Sequence, residues 1–127
     1  LQALKNEPIT IYGNGKQTRS FQYVSDLVDG LVALMNSNYT QPVNLGNPQE
    51  HTIEEFAKII REIVGGQSKI EQLAAVEDDP QRRKPDISRA KSVLHWEPKV
   101  ALKDGLERTM EYFKKELESE KLDLEIR

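Results

Sequence analysis

The sequence has 127 residues, of which 37% are apolar and 31% are charged, and 21 acidic against 18 basic side chains give a formal charge of −3. This length is typical of one domain with a modest core, and the apolar residues occur in blocks that exclude disorder as the main state. No run is apolar and long enough to span a bilayer, and the absence of cysteine excludes disulfides, thiol chemistry and cysteine-ligated zinc. The near-balanced charge gives no reason to expect nucleic acid as a partner.

The first half of the chain predicts two strands around a glycine turn, followed by a helix. Residues 8–12 are rich in β-branched and aromatic side chains and lead into Gly13-Asn14-Gly15. We therefore expect a hairpin or a strand–loop–strand unit that returns through residues 19–24. From Ser25, which is placed to cap the first turn, the period becomes helical, and residues 42–48 predict a further short strand. The apolar face of the expected helix contains Val24, Leu27, Val28, Leu31, Leu34 and Met35.

The second half predicts two capped helices, a short strand and a long final helix. Thr52 and Glu55 have capping-box spacing ahead of a strict apolar stripe, which Gly65-Gly66 terminates. A short strand is expected at residues 69–73, and Asp86 is placed to cap a short helix. The apolar positions of the final helix are Leu102, Leu106, Met110, Phe113 and Leu117. Short strands that alternate with amphipathic helices predict an α/β chain.

The organisation of the chain predicts one ordered domain and a short tail. The domain is expected over residues 1–118, and the charged segment of residues 119–127 is expected to be frayed or disordered. The first five residues contain neither an initiator methionine nor a signal-like apolar stretch. We therefore expect the sequence to be a part of a longer protein.

The residues taken one by one predict no self-sufficient catalytic centre. Tyr12 and Lys16 have the spacing of a tyrosine base assisted by a lysine, but the glycine turn between them prevents the helix that this spacing needs. Gly13-Asn14-Gly15 lacks the third glycine and the following helix of a dinucleotide-binding loop. His51 and His95 have no second ligand at helical spacing. No metal site and no cofactor-binding residue are therefore expected in this chain.

Two basic segments offer a place for an anion. One is Lys16-Gln17-Thr18-Arg19 after the glycine turn, and the other is Arg82-Arg83-Lys84 before the short helix. Arginine presents a planar fork of donors that suits phosphate and carboxylate, and two such forks can clamp a diphosphate. Composition alone favours ordinary surface loops that form ion pairs with neighbours such as Asp78 and Asp79. The anion hypothesis requires the two segments to converge on one cleft.

Longer motifs resemble a family of nucleotide-sugar enzymes. Residues 8–28, with their Tyr-Gly-x-Gly-x-Gln-x-Arg segment, are similar to a segment shared by the extended short-chain dehydrogenase/reductase superfamily. Within that superfamily, residues 42–48, 79–86 and 94–98 resemble the UDP-glucuronate decarboxylase family. The Arg-Lys-Pro-Asp run is the most family-specific of these elements. The likeness covers nearly the whole chain, as the C-terminal portion of such enzymes.

The resemblance implies the substrate-binding C-terminal portion of an extended short-chain dehydrogenase/reductase, with the Rossmann domain that binds NAD largely missing. It places Tyr12 near the nucleoside of a UDP-sugar, and Arg19 and Arg83 at the diphosphate or the sugar carboxylate. The arginine that matches Arg83 is also considered a participant in decarboxylation or protonation, so Arg83 is the one candidate for a catalytic role here. The implied substrate-binding residues are Thr10, Ile11, Tyr12, Gly13, Lys16, Gln17, Arg19, Phe21, Gln22 and Arg83.

The resemblance also implies the activity of the intact enzyme. NAD, bound outside this chain, would oxidise the C4 hydroxyl of UDP-glucuronate, the resulting β-keto acid would lose carbon dioxide, and NADH would reduce the ketone to give UDP-xylose. The hydride chemistry belongs to the cofactor, while protein groups position and polarise. Because the chain lacks the NAD loop and the catalytic tyrosine–lysine pair, we expect it to be inactive alone. The intact enzyme is expected to be a homodimer through the missing domain.

Several alternatives stay open on the sequence. The chain could belong to a UDP-glucose 4-epimerase or a dTDP-glucose 4,6-dehydratase type of enzyme. It could also be a non-catalytic interaction module that uses its final helix as a docking face, or it could self-associate through unpaired strands. The resemblance implies a Golgi membrane-associated, lumenal enzyme for an animal protein, with a cytoplasmic enzyme as the alternative.

Overall fold

A computed structural model describes residues 1–126 and shows four helices and four short strands in two separate sheets. The strands are β1 (Ile9–Tyr12), β2 (Thr18–Ser20), β3 (Glu50–Thr52) and β4 (Ile70–Leu73). The helices are α1 (Val24–Met35), α2 (Ile53–Val64), α3 (Ser88–Leu94) and α4 (Leu102–Ile126), and a short 3-10 helix (Ala3–Lys5) precedes β1. β1 pairs in parallel with β4, and β2 pairs antiparallel with β3. The α/β class predicted from the sequence is confirmed.

The glycine turn joins two strands of different sheets, so the strand–loop–strand prediction is confirmed and the hairpin is excluded. Gly13 and Gly15 both have a φ of 73°, a conformation that favours glycine. A Cβ at Gly15 would also lie 2.9 Å from Ile11 Cδ1. Ile11 is buried and Tyr12 is exposed, as the alternation of a strand predicts. The turn therefore sends the chain from the apolar core to a second, polar sheet.

The helix α2 forms the clearest apolar layer. Its capping box is present as predicted, with Thr52 N donating to Glu55 Oε2 at 3.0 Å and Glu55 N donating to Thr52 Oγ1 at 3.1 Å. Gly65 ends the helix with a φ of 70°. The apolar stripe of α2 packs on the first sheet and on the 3-10 helix. This first core cluster contains Ala3, Ile9, Ile11 and Ala57, with Ile53, Ile60, Val64 and Ile70 packed against it.

The helix α1 buries a different face from the predicted one. It begins at Val24, so Ser25 lies inside the first turn and the predicted Ser25 cap is absent. Its buried positions are Asp26 and Gly30. A Cβ at Gly30 would lie 3.1 Å from the Trp96 ring, so glycine allows this close approach. Much of the predicted apolar face is exposed, including Val24, Val28, Leu31 and Met35.

The carboxylate of Asp26 connects α1 by hydrogen bonds to the segment that follows α3. Its two oxygens accept hydrogen bonds from Lys99 N at 3.1 Å and Val100 N at 3.0 Å. The Asp26 carbonyl accepts a third bond from Trp96 Nε1 at 3.0 Å. A buried carboxylate is tolerated here because backbone donors replace its water.

Residues 42–48 do not form the predicted strand, because their backbone finds no ladder partner within residues 1–126. They instead contribute side chains to the second core cluster. This cluster contains Ile87, Ala90 and Trp96, with Val43, Leu45 and Leu94 packed against it. The N-cap of α3 is Ile87, so Asp86 lies one residue before the capping position that the sequence predicts, although its carboxylate accepts a hydrogen bond from Ser88 N at 2.9 Å.

The helix α4 continues through Ile126, so residues 119–126 of the tail predicted to be frayed or disordered are helical, and residue 127 lies outside the described residues. Its predicted apolar residues are half-buried as far as Leu117, and the positions beyond are exposed. The helix therefore extends beyond Leu117, the last of its half-buried apolar residues. None of the helices in residues 1–126 has the length and apolar composition needed to cross a membrane.

Candidate anion-binding site

The loop of residues 79–85 runs along β2 and brings together the two basic segments. Thr18 N donates to Gln81 O at 2.9 Å, and Ser20 Oγ donates to Arg83 O at 3.3 Å. These contacts join residues that are more than sixty positions apart in the sequence. Because β2 carries Arg19, the loop holds Arg83 beside it.

Arg19 and Arg83 line the same two clefts. The first, called here the basic cleft, has a volume of about 690 Å³ and is lined by both arginines together with Arg82 and Lys84. The second, called here the tyrosine cleft, has a volume of about 440 Å³ and is lined by both arginines together with Tyr12. The convergence that the anion hypothesis requires is therefore present in the structure.

Arg19 is held by several contacts from the loop and its own strand. Nη1 donates to Thr18 O and to Pro80 O, each at 2.7 Å, and Nη2 donates to Asp79 Oδ1. The interpretation of these segments as ion-paired loops is therefore correct for Arg19 and Asp79. The Nε–H and the second Nη2–H of Arg19 have no partner among the described residues, and these donors are available to a ligand.

Arg82 forms an ion pair that holds the loop against β3, whereas the neighbouring Arg83 forms none among the described residues. Arg82 Nε and Nη2 each donate to the Glu50 carboxylate at 2.8 Å, and Thr18 Oγ1 donates to it at 3.1 Å. The Arg82 hydrogen bond is the main reason that the pKa of Glu50 lies below its usual value. Arg83 is exposed, and its side chain has no ion pair in the part of the chain that the structure describes.

Three other implied residues also line the clefts. Tyr12, with 52% of its surface exposed, lines the tyrosine cleft. Gln17 lines the same cleft but is buried, and its Nε2 donates to Tyr12 O at 2.8 Å and to Asp79 Oδ2 at 3.3 Å. Gln22 lines the basic cleft, and its Oε1 is buried without a partner among residues 1–126. Of the three, Gln22 is therefore the one whose side chain has a buried atom without a hydrogen-bond partner among the described residues.

The remaining implied residues lie outside the lining of both clefts. They are Thr10, Ile11, Gly13, Lys16 and Phe21. Ile11 belongs to the apolar core, and Phe21 stacks on Phe56 with ring centroids 3.8 Å apart. The hydroxyl of Thr10 accepts a hydrogen bond from Gln2 Nε2 at 3.0 Å. The side chains of Ile11 and Phe21 therefore pack against apolar neighbours and not along the two clefts.

Sequence reasoning missed the acidic residues that organise the site. Asp79 and Glu50 each hold one arginine, and neither was a candidate site residue. The signal available was the acidic Asp78-Asp79 pair just before the basic run, which suggested ion pairing but not the identity of the partner. Gly46 was also unexpected: a Cβ there would lie 2.8 Å from Pro85 Cγ, so glycine lets the loop pack closely over residues 45–47.

The glycine turn does not have the form of a dinucleotide-binding loop. Gly13-Asn14-Gly15 leads into β2 and not into a helix, so it offers no helix N-terminus to a pyrophosphate. Within residues 1–126 no group of three or more metal-ligating side chains comes together. The chemistry that these residues can perform is recognition of an anion by charge-assisted hydrogen bonds.

The fold defines a partial extended short-chain dehydrogenase/reductase. The UDP-glucose 4-epimerase of Thermotoga maritima, solved with UDP-glucose, superposes with a TM-score of 0.88 at 32% identity, over 91% of this chain and 38% of that one. The UDP-glucuronic acid 4-epimerase of Bacillus cereus, solved with UDP-glucuronic acid and NAD, superposes with a TM-score of 0.84 at 32% identity, over 90% of this chain and 37% of that one.

Within that class, residues 1–109 match the GDP-mannose 4,6 dehydratase family. The chain belongs to this family. It is 63% identical over 118 residues to UDP-glucuronic acid decarboxylase 1 of Xenopus tropicalis, covering 93% of this chain and 28% of that protein. It is 58% identical over 105 residues to UDP-glucuronic acid decarboxylase 4 of Arabidopsis thaliana, covering 83% of this chain and 24% of that protein. The chain thus spans 24–28% of the length of these relatives.

Proposed function

We propose that this chain is the UDP-sugar-binding, C-terminal part of a UDP-glucuronate decarboxylase, which converts UDP-glucuronate to UDP-xylose and carbon dioxide. The observation that carries the proposal is the convergence of Arg19 and Arg83 on shared clefts beside the exposed ring of Tyr12. In this arrangement the two guanidinium groups receive the diphosphate or the sugar carboxylate, and the ring of Tyr12 lies beside the nucleoside.

The strength of such contacts is sufficient for a sugar-nucleotide site. A charge-assisted hydrogen bond contributes roughly 1.5–3 kcal/mol, and micromolar affinity corresponds to about 8 kcal/mol. Two arginines therefore supply a large share of the binding free energy. Binding energy gathered at the diphosphate also orients the distant sugar for reaction, so its loss lowers turnover as well as affinity.

The choice of a decarboxylase among related activities rests on the relatives. Those at 50–63% identity carry decarboxylase names, whereas the epimerases among the solved structures are at 24–32% identity. NAD belongs in this proposal to the intact enzyme and is held by residues outside this chain. We extend the proposal to a homodimer formed through that other part and, for an animal protein, to a Golgi location.

The test is the conversion of UDP-glucuronate by the full-length protein that carries this chain. We expect UDP-xylose as the product, and we expect Arg83→Ala or Arg19→Ala to lower kcat/KM by about tenfold or more. Arg61→Ala, on α2 and outside both clefts, is the matched control and should leave kcat/KM unchanged. Unchanged kinetics for both cleft variants would remove the proposal.

The product also separates the proposal from its rivals. Formation of UDP-galacturonate without loss of carbon dioxide would assign an epimerase, and loss of water from a nucleoside-diphosphate glucose would assign a dehydratase. Full retention of UDP-glucuronate, with no UDP binding, would favour a non-catalytic module. The 127-residue chain alone, assayed with UDP-glucuronate and NAD, is expected to give no product, and turnover by this chain would contradict the assignment.

A further inference from the structure

A buried hydrogen-bond network connects the wall of the tyrosine cleft to Arg19. Gln17 is only 7% exposed, and both bonds of its Nε2 are directed inward, one to Tyr12 O at 2.8 Å and one to Asp79 Oδ2 at 3.3 Å. The other Asp79 oxygen, Oδ1, accepts a bond from Arg19 Nη2. One carboxylate oxygen of Asp79 thus accepts a hydrogen bond from the Gln17 amide, and the other accepts one from the Arg19 guanidinium.

We propose that Asp79 is a positioning residue for anion binding, because it fixes the guanidinium plane of Arg19 and is itself fixed by Gln17. This inference rests on the proposed function and adds a role to residues outside the arginine pair. Asp79 acts through Arg19. Gln17, which the sequence analysis placed among the substrate ligands, acts through Asp79, because both of the Nε2 bonds described above are made within the protein.

The rest of the Arg19 environment supports an orienting role for Asp79. Nη1 is already fixed by the carbonyls of Thr18 and Pro80, and the Asp79 contact at Nη2 adds a third point that defines the plane of the group. The donors that remain, Nε–H and the second Nη2–H, then have a set direction. A planar donor fork gains specificity and affinity when its orientation is set before the ligand arrives.

Simple electrostatics predicts the opposite effect for Asp79. A carboxylate beside the cleft repels an anionic ligand and competes for Arg19, so removing its charge should tighten binding. A positioning role predicts weaker binding after the same change. The sign of the effect therefore distinguishes an orienting carboxylate from a competing counter-ion.

The experiment compares Asp79→Asn with Asp78→Asn in the full-length protein, using UDP as the probe and calorimetric titration as the measurement. Asparagine has a single acceptor oxygen, so Asp79→Asn cannot accept from Gln17 and Arg19 with separate oxygens. Asp78 lines the same cleft, is exposed and makes no side-chain hydrogen bond among the described residues. Its φ of 60° is a conformation that asparagine tolerates, so the control is matched in charge and size.

We expect Asp79→Asn to weaken UDP binding by about fivefold or more, and Asp78→Asn to leave it unchanged or tighter. The same Asp79 change is then made in an Arg19→Ala background, where its effect should disappear because the group that it orients is gone. Melting temperatures of all variants report any general loss of folding, which would weaken binding in both backgrounds alike.

Each result decides the question. Equal or tighter UDP binding by Asp79→Asn, or the same weakening with and without Arg19, would overturn the positioning role. UDP binding that depends on Arg83 but not on Asp79 would leave the proposed function intact and remove only this inference. A parent protein that does not bind UDP at all would overturn the proposed function and this inference with it.

Discussion

The apolar layer around α2 and the basic cleft are built in contrasting ways. The layer combines a capped helix, a buried strand and a glycine stop, each encoded by residues close together in the sequence. The cleft depends on ion pairs and hydrogen bonds between residues 32 to 63 positions apart. The comparison teaches that the packing of the core and the proposed anion recognition depend on different side chains, so core variants and arginine variants should separate the two properties.

The largest expected effect is on the stability of the apolar layer. Ile11→Ala removes a buried side chain at the centre of the first core cluster, and should lower the free energy of unfolding by about 2–5 kcal/mol. Urea denaturation of the 127-residue chain measures this change. Val28→Ala, at an exposed position of α1, is the control and should cost about 0.5 kcal/mol or less. Similar costs for both variants would contradict the assigned core.

A smaller effect is expected at the start of α2. Thr52→Ala removes the hydroxyl that accepts the Glu55 N–H, and should cost about 1 kcal/mol of unfolding free energy. Thr52→Ser keeps the acceptor and should restore most of that loss. The two variants are compared by urea denaturation under the same conditions. An equal cost for serine and alanine would show that the capping bond does not stabilise the helix.

The smallest effect is expected on the pH dependence of stability, through the Arg82–Glu50 ion pair. The pKa of Glu50 is lowered, chiefly by its hydrogen bond to Arg82, from the ordinary value of 4.5. The stabilisation is therefore fully present above pH 4.5 and is lost as the pH falls through the lowered pKa of the folded state. Glu50→Gln should melt below the parent at neutral pH, and the gap should close at acidic pH. A gap that persists at low pH would exclude a charge-dependent role.

The sequence was sufficient to predict the helices and strands that local residue patterns encode. The strand β1, the helix α2 with both of its ends, and the strand β4 follow from alternation, helical period, caps and glycines. The same helical period did not predict the packing of α1, whose apolar face is largely exposed. Periodicity determines which residues share a face, but the element that packs on that face depends on contacts distant in sequence.

The candidate site was predictable only in part for the same reason. Arginine chemistry singled out Arg19 and Arg83, which line the same two clefts, and strand alternation correctly predicted that Tyr12 is exposed. Adjacency to the motif did not predict the apolar contacts that the side chains of Ile11 and Phe21 make. The roles of Asp79 and Glu50 could not be predicted, since each depends on the path of a loop that pairs with β2 and β3.

The central claim is that the guanidinium groups of Arg19 and Arg83 bind the diphosphate or the sugar carboxylate of one UDP-sugar. The most direct measurement is a crystal structure of the full-length protein with UDP-glucuronate bound. We predict oxygens of the diphosphate or the carboxylate within about 2.7–3.2 Å of nitrogen atoms from both arginines, with the uracil or ribose beside Tyr12. A UDP-glucuronate that lies elsewhere on the protein, or that contacts neither arginine, would contradict the account.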